Sequence, residues 1–578
     1  MIRDKLFASV KKALKEAKKA GELPATVGGK SVTIKAKAAY AIAGRTAPSV
    51  EVTIEPSKKK AFGDYTTNAA MVLARQVDMP PREVAAKIVN RLGDAGGLIV
   101  RAEIAGAGFI NLYLKPDWLY DVLKQISSEG EKYGHSDIGK GIKVQVEFVS
   151  ANPNGPITVA HGRGGAIGDV IASLLSAAGY DVTRESYIND APNSTQMQNF
   201  GKSVHARYMQ ALGHDYPMPE DGYQGEYVID IAKDIVKEHG DKFLSIPEQE
   251  LIIIFTRLAE EKMLAVQKEN LAQFGIKHDV WYSEAALHES GKVQKAIEAL
   301  KERGYAYEGD GALWLKSTAF GDDKDRALVR SNGQPTYIAS DAAYHLDKFS
   351  RGFEKIVDVW GPDHHGYIAR TKAAVAALGC DPDKLDIIIY QAVRLLSGGE
   401  IVMMSKRAGD VVLLSELVDE VGKDAARFFF LMRSIDSTLD FDLELAKSKS
   451  AENPVYYVQY AHARICSILR KAEDSGVKVP GATEADLSLL NHEAEVELIK
   501  KLAEFPDLVA EAGLAYEPHR VTRYAQDLAA IFHSFYTECR VVSEDEKLTV
   551  ARLALVDSTR TVLANALHLL GISAPAKM

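Results

Sequence analysis

Cysteine is nearly absent. Three residues in 578, Cys380, Cys466 and Cys539, lie far apart and without metal-ligand spacing. An odd, scattered set excludes a disulfide-stapled scaffold, fits reduced thiols in a cytosolic protein and gives no zinc pattern. Long apolar runs are missing as well. Leu251 to Phe255 is a short run of the kind found in buried segments, far below the ~18 residues that cross a bilayer, so no membrane span is expected. The N-terminus has lysines but no apolar stretch before a small-residue cleavage site, so no secretory leader is expected. Positive charge is not in excess: 70 Lys and Arg stand against 79 Asp and Glu, a net of −9. That argues against indiscriminate nucleic-acid binding but leaves room for a local basic patch.

What is present is ordinary globular material. Apolar residues make up 46% and charged residues 26%, which excludes a wholly disordered or collagen-like chain. The length implies about three or four domains. Residues 1 to 20 carry seven Lys or Arg against two Asp or Glu, with Leu6, Phe7, Val10 and Leu14 at helical spacing. This predicts an amphipathic helix with a basic face, either simply solvated or turned to RNA.

Strand patterns at 31–35 and 50–54, a helix over 67–75 and an alternating strand at 108–114 form an α+β unit ending near residue 115. A helical connector over 117–130 leads to the Gly139-Lys-Gly141 boundary. Lys143 to Val149 reads as a strand, followed by a loop, a helix to Gly179 and a second strand at 180–184. That βαβ unit points to a parallel sheet. Residues 195 to 300 read as a mostly helical insertion. Ala327 to Ile338 reads as two strands around an Asn332-Gly333 turn. Strand signals return at 355–360 and 385–390, and after Asp410 the chain is almost all helix.

Two loops carry the chemistry. Ser150-Ala-Asn-Pro-Asn-Gly-Pro-Ile-Thr-Val-Ala-His161 runs into Gly-Arg-Gly-Gly-Ala-Ile-Gly168. Small residues there let a ligand approach the backbone, and the next helix N-terminus suits a phosphate. Gly162, Gly164 and Gly168 loosely imitate a dinucleotide fingerprint. That motif needs its first glycine directly after the strand, and eleven residues intervene here, 151 to 161. The second loop, Ser397 to Asp410, has Gly398-Gly399 and Gly409 around a Ser405-Lys406-Arg407 tip, whose cations can follow charge on a transferring phosphate.

Together these segments resemble the signature motifs of class I aminoacyl-tRNA synthetases, and specifically the arginyl-tRNA synthetases. Thr158-Val159-Ala160-His161 aligns with the family's His-Val-Gly-His, and Met403-Met404-Ser405-Lys406-Arg407 with its Lys-Met-Ser-Lys-Arg. The resemblance continues through Gly63-Asp-Tyr-Thr-Thr-Asn68, Gly108-Phe-Ile-Asn111, Glu147 to Pro153, Tyr187-Ile-Asn-Asp190, Phe274-Gly-Ile, Asp279-Val-Trp281, Gly311 to Trp314 and Phe320 to Arg326. It includes Thr336-Tyr337 with Asp341, Trp360 to Tyr367, Asp424 to Phe430 and Asn453 to Arg464. It covers nearly the whole chain in order and is weakest from about 20 to 48.

The resemblance implies a multidomain α/β plus all-α architecture: an N-terminal α+β additional domain (1–115), a helical connector (116–140) and a Rossmann-like catalytic domain with a parallel sheet (141–395). A segment with the Ser-Lys-Arg signature loop and stem-contact helices (396–450) and a helical anticodon-binding domain (451–578) complete it. It implies ATP-dependent ligation of L-arginine to tRNA(Arg) through arginyl-adenylate, with transfer to the 2′-hydroxyl of the terminal adenosine and tRNA needed for activation. It implies Mg²⁺ bound with ATP, no protein metal site, a monomer, and a cytoplasmic location. His161, Ser405, Lys406 and Arg407 would be catalytic, acting on phosphate charge. Thr158, Ala160, His161, Gly164, Asp363, His364, His365 and Lys406 would hold ATP. Glu147, Ser150, Asn152, His161, Tyr337 and Asp341 would hold arginine, Asp341 because a guanidinium suits a carboxylate fork. Asp341 also fits a helix N-cap, and both readings can hold. Phe109, Asn111 and Tyr460 would contact tRNA, although tyrosines such as Tyr456, Tyr457 and Tyr460 serve helical packing equally well.

Some positions depart from the family pattern. Thr158 replaces an imidazole, Ala160 a glycine and Met403 a cation, and Pro192, Pro362 and Ala576-Lys577-Met578 are further departures. A metal triad at 363–365 is disfavoured because neighbours in one loop rarely give coordination geometry. The rival functional reading is a catalytically weak, tRNA-binding paralogue.

Overall fold

The structure is a computed structural model that describes residues 2–27, 30–32, 34, 52–57, 60–92, 98–191, 194–402 and 412–578. The N-terminal unit contains α1 (Ile2–Lys19), β1 (Thr26–Val27), β2 (Lys30–Ser31), β3 (Ile54–Pro56), β4 (Tyr65–Thr67), α2 (Ala69–Val77), α3 (Pro81–Arg91), β5 (Ile99–Ala105) and β6 (Phe109–Leu114). Its main sheet is antiparallel with order β3-β4-β6-β5. Helix α1 buries Leu6, Val10, Ala13, Leu14 and Ala17, a three-and-four spacing that leaves its lysines on the opposite face. Of the strands expected at 31–35 and 50–54, Ser31 falls in β2 and Ile54 in β3, while residues 33, 35, 50 and 51 lie outside the described residues.

Helix α4 (Asp117–Glu129) leads into the central unit: β7 (Lys143–Glu147), α5 (Val159–Ala177), β8 (Asp181–Ile188), α6 (Thr195–Ala211), α7 (Glu226–His239), α8 (Glu248–Gln273), β9 (Val280–Ser283), α9 (Glu284–Glu289) and α10 (Lys292–Glu302). It continues with β10 (Ala306–Gly309), β11 (Ala312–Leu315), β12 (Arg326–Val329), α11 (Tyr337–Ser350), β13 (Lys355–Trp360), α12 (Ile368–Ala377) and β14 (Leu385–Ile389). The five-stranded sheet has order β14-β13-β7-β8-β9 and every pairing is parallel. The chain runs outward from β7 to β9, then returns to the other side of β7 as β13. The crevice between β7 and β13 is therefore the switch point at which such sheets bind ligands.

Three expectations differ from the structure. The segment 327 to 338 is not a pair of strands. β12 is followed by a turn with Gly333 at φ +79°, a single bridge between Val329 and Pro335, and then α11 from Tyr337. Thr336, not Asp341, occupies the N-cap position of α11. The stretch expected as helical insertion also supplies β9, the edge strand of the main sheet. Its Val280-Trp-Tyr-Ser283 pattern was hidden by the helices on either side.

After β14 come β15 (Val393–Ser397), β16 (Glu400–Ile401), α13 (Leu414–Val421), α14 (Lys423–Leu431), β17 (Leu439–Asp442) and α15 (Leu443–Lys447). Helices α16 (Pro454–Asp474), α17 (Glu493–Ala515), α18 (His519–Glu538) and α19 (Glu546–Leu569) pack together at the C-terminal end. The fully buried Arg427 of α14 ties these parts to the sheet. Its guanidinium reaches Asp169 of α5 at 2.6 Å and donates to the carbonyls of Phe274 and Leu570 at 3.2 and 2.9 Å. A buried arginine with that many partners fixes the relative placement of the elements that carry them.

Candidate active site

The site is built at the C-terminal edge of the parallel sheet. β7 ends at Glu147, and the chain then turns sharply through Val149, whose φ of +57° is a strained choice for a β-branched residue. The turn places the Ser150 hydroxyl between two partners. It donates to Glu147 Oε1 at 2.7 Å and accepts the Tyr187 backbone N–H at 3.2 Å.

The other oxygen of Glu147 receives Lys348 Nζ at 2.5 Å. Lys348, on α11, is fully buried and also bonds Asp358 of β13 at 2.7 Å. Burial opposes the Lys348 charge, but Asp358, Glu147 and Glu185 outweigh it and raise its pKa. Asp358 is held below the ordinary carboxylate range: burial works against ionisation, and Lys348 and His345 overcome it. Glu147, expected to face arginine directly, is thus anchored within the protein and in turn fixes Ser150.

The loop 150–157 is gripped from outside the sheet. Buried Gln267 of α8 donates from one nitrogen to the carbonyls of Asn152 (2.9 Å) and Gly155 (2.7 Å). Asn152 Nδ2 reaches Gln196 at 2.7 Å, and Asn154 is bonded to both Tyr223 and Tyr227. The loop then opens α5 through a capping box. The Thr158 hydroxyl accepts the His161 N–H, and His161 Nδ1 accepts the Thr158 N–H, each at 3.4 Å. Because Nδ1 is an acceptor there, the neutral ring carries its hydrogen on Nε2, which makes Nε2 a donor. Burial lowers the His161 pKa and nearby Asp363 partly opposes this, so the ring is neutral at physiological pH. Thr158 is spent on capping, while Ala160 is exposed in the first turn.

The structure joins this loop to the second one. Val159 N–H donates to Val412 O (3.0 Å), Leu414 N–H donates to Ile157 O (2.8 Å), and Thr158 bridges Leu413. Ser405, Lys406, Arg407, Met403 and Met404 lie outside the described residues, but the segment that follows them is fixed beside the N-terminus of α5. Gly164, expected among the ATP-binding residues, has a packing role in the structure. It is buried, and a Cβ there would lie 2.5 Å from the Tyr390 ring. Asp363, His364 and His365 are exposed on a short 3₁₀ turn (Pro362–Tyr367) at the end of β13, across the switch point from α5.

A second group of side chains lines the β8–β9 side. Asp341 lies on α11, one turn after the exposed Tyr337. Burial pushes Asp341 up to about 6; Glu147 adds to this, against His345, His364 and Lys348. Glu284 opens α9, and burial, Asp341 and Asp190 push it up to about 7. Asp190 holds that helix start by accepting Ser283 Oγ (2.5 Å) and the Ala285 N–H (2.7 Å). No lysine or arginine pairs with Asp341 or Glu284 among the described residues. Two neighbouring carboxyls with raised pKa and no such partner form a cation-seeking pair.

Glu284 was not visible in the sequence, where an acidic residue in a first turn reads as a partner of the helix dipole. Gln267 and Lys348 gave no sequence signal either. At the tRNA positions the expectations divide. Phe109 is exposed, but Asn111 is buried on central strand β6, opposite Thr66 and Glu103, so the shared strand face does not make it a surface contact. Tyr460 is partly exposed, stacked on Tyr456 at 6.2 Å and beneath Arg464 at 5.2 Å.

Comparison with known proteins gives three family matches in chain order: the arginyl tRNA synthetase N terminal domain over residues 6–114, the tRNA synthetases class I (R) catalytic domain over 122–433, and the DALR anticodon binding domain over 458–578. The arginine–tRNA ligase of Moorella thermoacetica is 54% identical over 531 residues, covering 91% of this chain and 94% of that one. The arginine–tRNA ligase of Desulfitobacterium hafniense is 48% identical over 578 residues, covering 100% and 99%. The Thermus thermophilus arginyl-tRNA synthetase structure, 23% identical, has the same fold over the full length of both chains with a TM-score of 0.75. The chain belongs to the arginine–tRNA ligases, the arginyl-tRNA synthetases of class I.

Proposed function

We propose that this protein joins L-arginine to tRNA(Arg) in two steps at the β7–β13 crevice. In the first, an arginine carboxylate oxygen attacks the α-phosphorus of ATP. The bond to the bridging oxygen of the β-phosphate breaks, and pyrophosphate leaves. In the second, the 2′-hydroxyl of the terminal adenosine of tRNA attacks the arginyl carbonyl, releasing AMP and a proton. No protein nucleophile is needed, so rate depends on positioning and on charge complementarity.

The observation that carries the reading is the Asp341–Glu284 pair of carboxyls with raised pKa, Asp341 lying within electrostatic reach of Glu147 at the end of β7 and of His364 after β13, at the switch point. The carboxylates suit a guanidinium, with Tyr337 at the rim. Ser150 and Asn152 would meet the α-amino end, Glu147 acting through Ser150. Phosphates would lie over the first turn of α5, where His161 Nε2–H donates. Asp363, His364 and His365 would flank the adenosine. Ser405, Lys406 and Arg407 would follow charge onto departing pyrophosphate. Among the described residues no group of three or more His, Cys, Asp and Glu side chains is arranged to hold a metal; Mg²⁺ would enter with ATP and neutralise its phosphates. Phe109 and the Tyr456–Tyr460 stack would meet tRNA.

Pyrophosphate exchange with arginine, ATP and tRNA tests this. Exchange that requires tRNA is expected. Tight tRNA binding with no exchange under any condition would favour the inactive-paralogue reading instead.

A further inference from the structure

Tyr187 lies one residue before the end of β8, in register with Tyr282 of β9. It is 7% exposed, and its hydroxyl has no hydrogen-bond partner among the described residues. Such an orphan is rare, because a buried polar atom normally finds a partner. The ring alone accounts for the packing: it lies 4.5 Å from the Tyr344 ring and 6.2 Å from that of Tyr282. A phenylalanine would fill the same space. The hydroxyl therefore calls for a separate explanation.

Its surroundings supply one. Burial raises the Tyr187 pKa well above its ordinary value, and the carboxylates of Glu284, Asp341, Glu147 and Asp190 add to the effect in that order. The two with the strongest influence are the pair that forms the cation-seeking pocket. The phenol is thus neutral. Its oxygen keeps a lone pair free to accept a hydrogen bond from a ligand.

We infer that Tyr187 is a specificity-determining residue of the amino-acid pocket, its phenol oxygen accepting a guanidinium N–H between the Asp341 and Glu284 carboxylates. This rests on the reading of that pocket as the arginine site. A guanidinium offers five N–H donors in one plane, more than a single carboxylate fork can take, and a neutral oxygen accepts one without adding a further negative charge. An ammonium cannot present that plane, so the contact works against lysine as well as for arginine. Citrulline would turn a carbonyl towards two carboxylates.

The test is Tyr187→Phe in the full chain, measured by tRNA-dependent pyrophosphate exchange. Wild-type exchange is established first; its absence would sink the functional reading and not this inference. With exchange in hand, the variant should raise arginine KM roughly 10- to 100-fold, the range spanned by a hydrogen bond to a charged group, with ATP KM unchanged. Discrimination against lysine should narrow. Without arginine the variant should melt at or above the wild type, since it loses an orphan hydroxyl, and arginine should raise its melting temperature less. An unchanged arginine KM would overturn the inference. So would a lowered melting temperature without arginine accompanied by parallel losses for arginine and ATP, which would make the hydroxyl structural.

Discussion

Arginine affinity should depend steeply on pH between 8 and 6, and the size of the effect follows from the pocket. Burial, with Glu147 adding to it, pushes Asp341 up to about 6, and burial together with Asp341 and Asp190 pushes Glu284 up to about 7. The arginine guanidinium stays charged throughout this range, so only the protein side titrates. If binding requires both carboxylates ionised, the competent fraction is roughly nine in ten at pH 8 and about one in twenty at pH 6, and the apparent Kd rises about 20-fold. Neighbouring His288, its pKa lowered by burial, remains neutral over most of the range.

The sign for stability is opposite to that of an ordinary paired carboxylate. Groups raised in the folded state favour folding below the unfolded carboxylate pKa, and that contribution is lost as pH rises through about 6 to 7. The arginine-free protein should lose this term on going from pH 5 to pH 8, and added arginine should stabilise it more at the higher pH. Titration calorimetry with arginine at pH 6, 7 and 8, in the presence of tRNA, measures the affinity. Glu284→Gln removes the higher-titrating group and should cut the pH effect to about twofold. A flat Kd from pH 8 to 6, or an undiminished pH effect in Glu284→Gln, would refute the assignment of these two carboxyls to the guanidinium.

Lys348→Met leaves Glu147 and Asp358 without their shared ammonium, so urea unfolding should show a loss of about 3–5 kcal/mol at pH 8 that shrinks as the pH falls towards the carboxylate range. A loss that does not depend on pH would assign the cost to packing. Gln267→Glu keeps the size but presents an acceptor to the Asn152 and Gly155 carbonyls, and should lower kcat/KM in exchange roughly 10²-fold through loop displacement. Wild-type exchange kinetics would mean that the α8 clamp does not position the loop. Lys406→Ala should lower kcat roughly 10²-fold or more with little change in arginine KM, as expected for a cation that acts on charge developing in the transition state. Unchanged kcat would make it a surface cation.

The amino-acid sequence by itself determined the elements whose signal is local. β7 and β13 were legible because each is a short segment rich in valine and isoleucine, Lys143-Val-Gln-Val-Glu147 and Lys355-Ile-Val-Asp-Val-Trp360. The opening of α5 was legible because small residues, two prolines and a histidine cluster within a dozen positions. The family was legible because many such segments recur in order. Locality also explains the failures. Asn332-Gly333 makes a turn, but whether a strand or a helix follows depends on Ile338, Ala339, Ala342 and Ala343 being buried on one helix face rather than continuing a ladder. β9 was obscured by flanking helices, and its role as an edge strand exists only through its pairing with β8.

The tertiary structure alone decided the chemistry of the pocket. Glu147 and Lys348 are 201 residues apart and meet because β7 and α11 lie on one edge of the sheet. Asp341 raises the pKa of Glu284 because α9 and α11 converge there. Asn111 and Phe109 share a strand parity, yet one is buried and the other exposed, because parity selects a face and neighbouring elements decide what covers it. Burial and charge pairing are properties of that packing, and no stretch of chain specifies them alone.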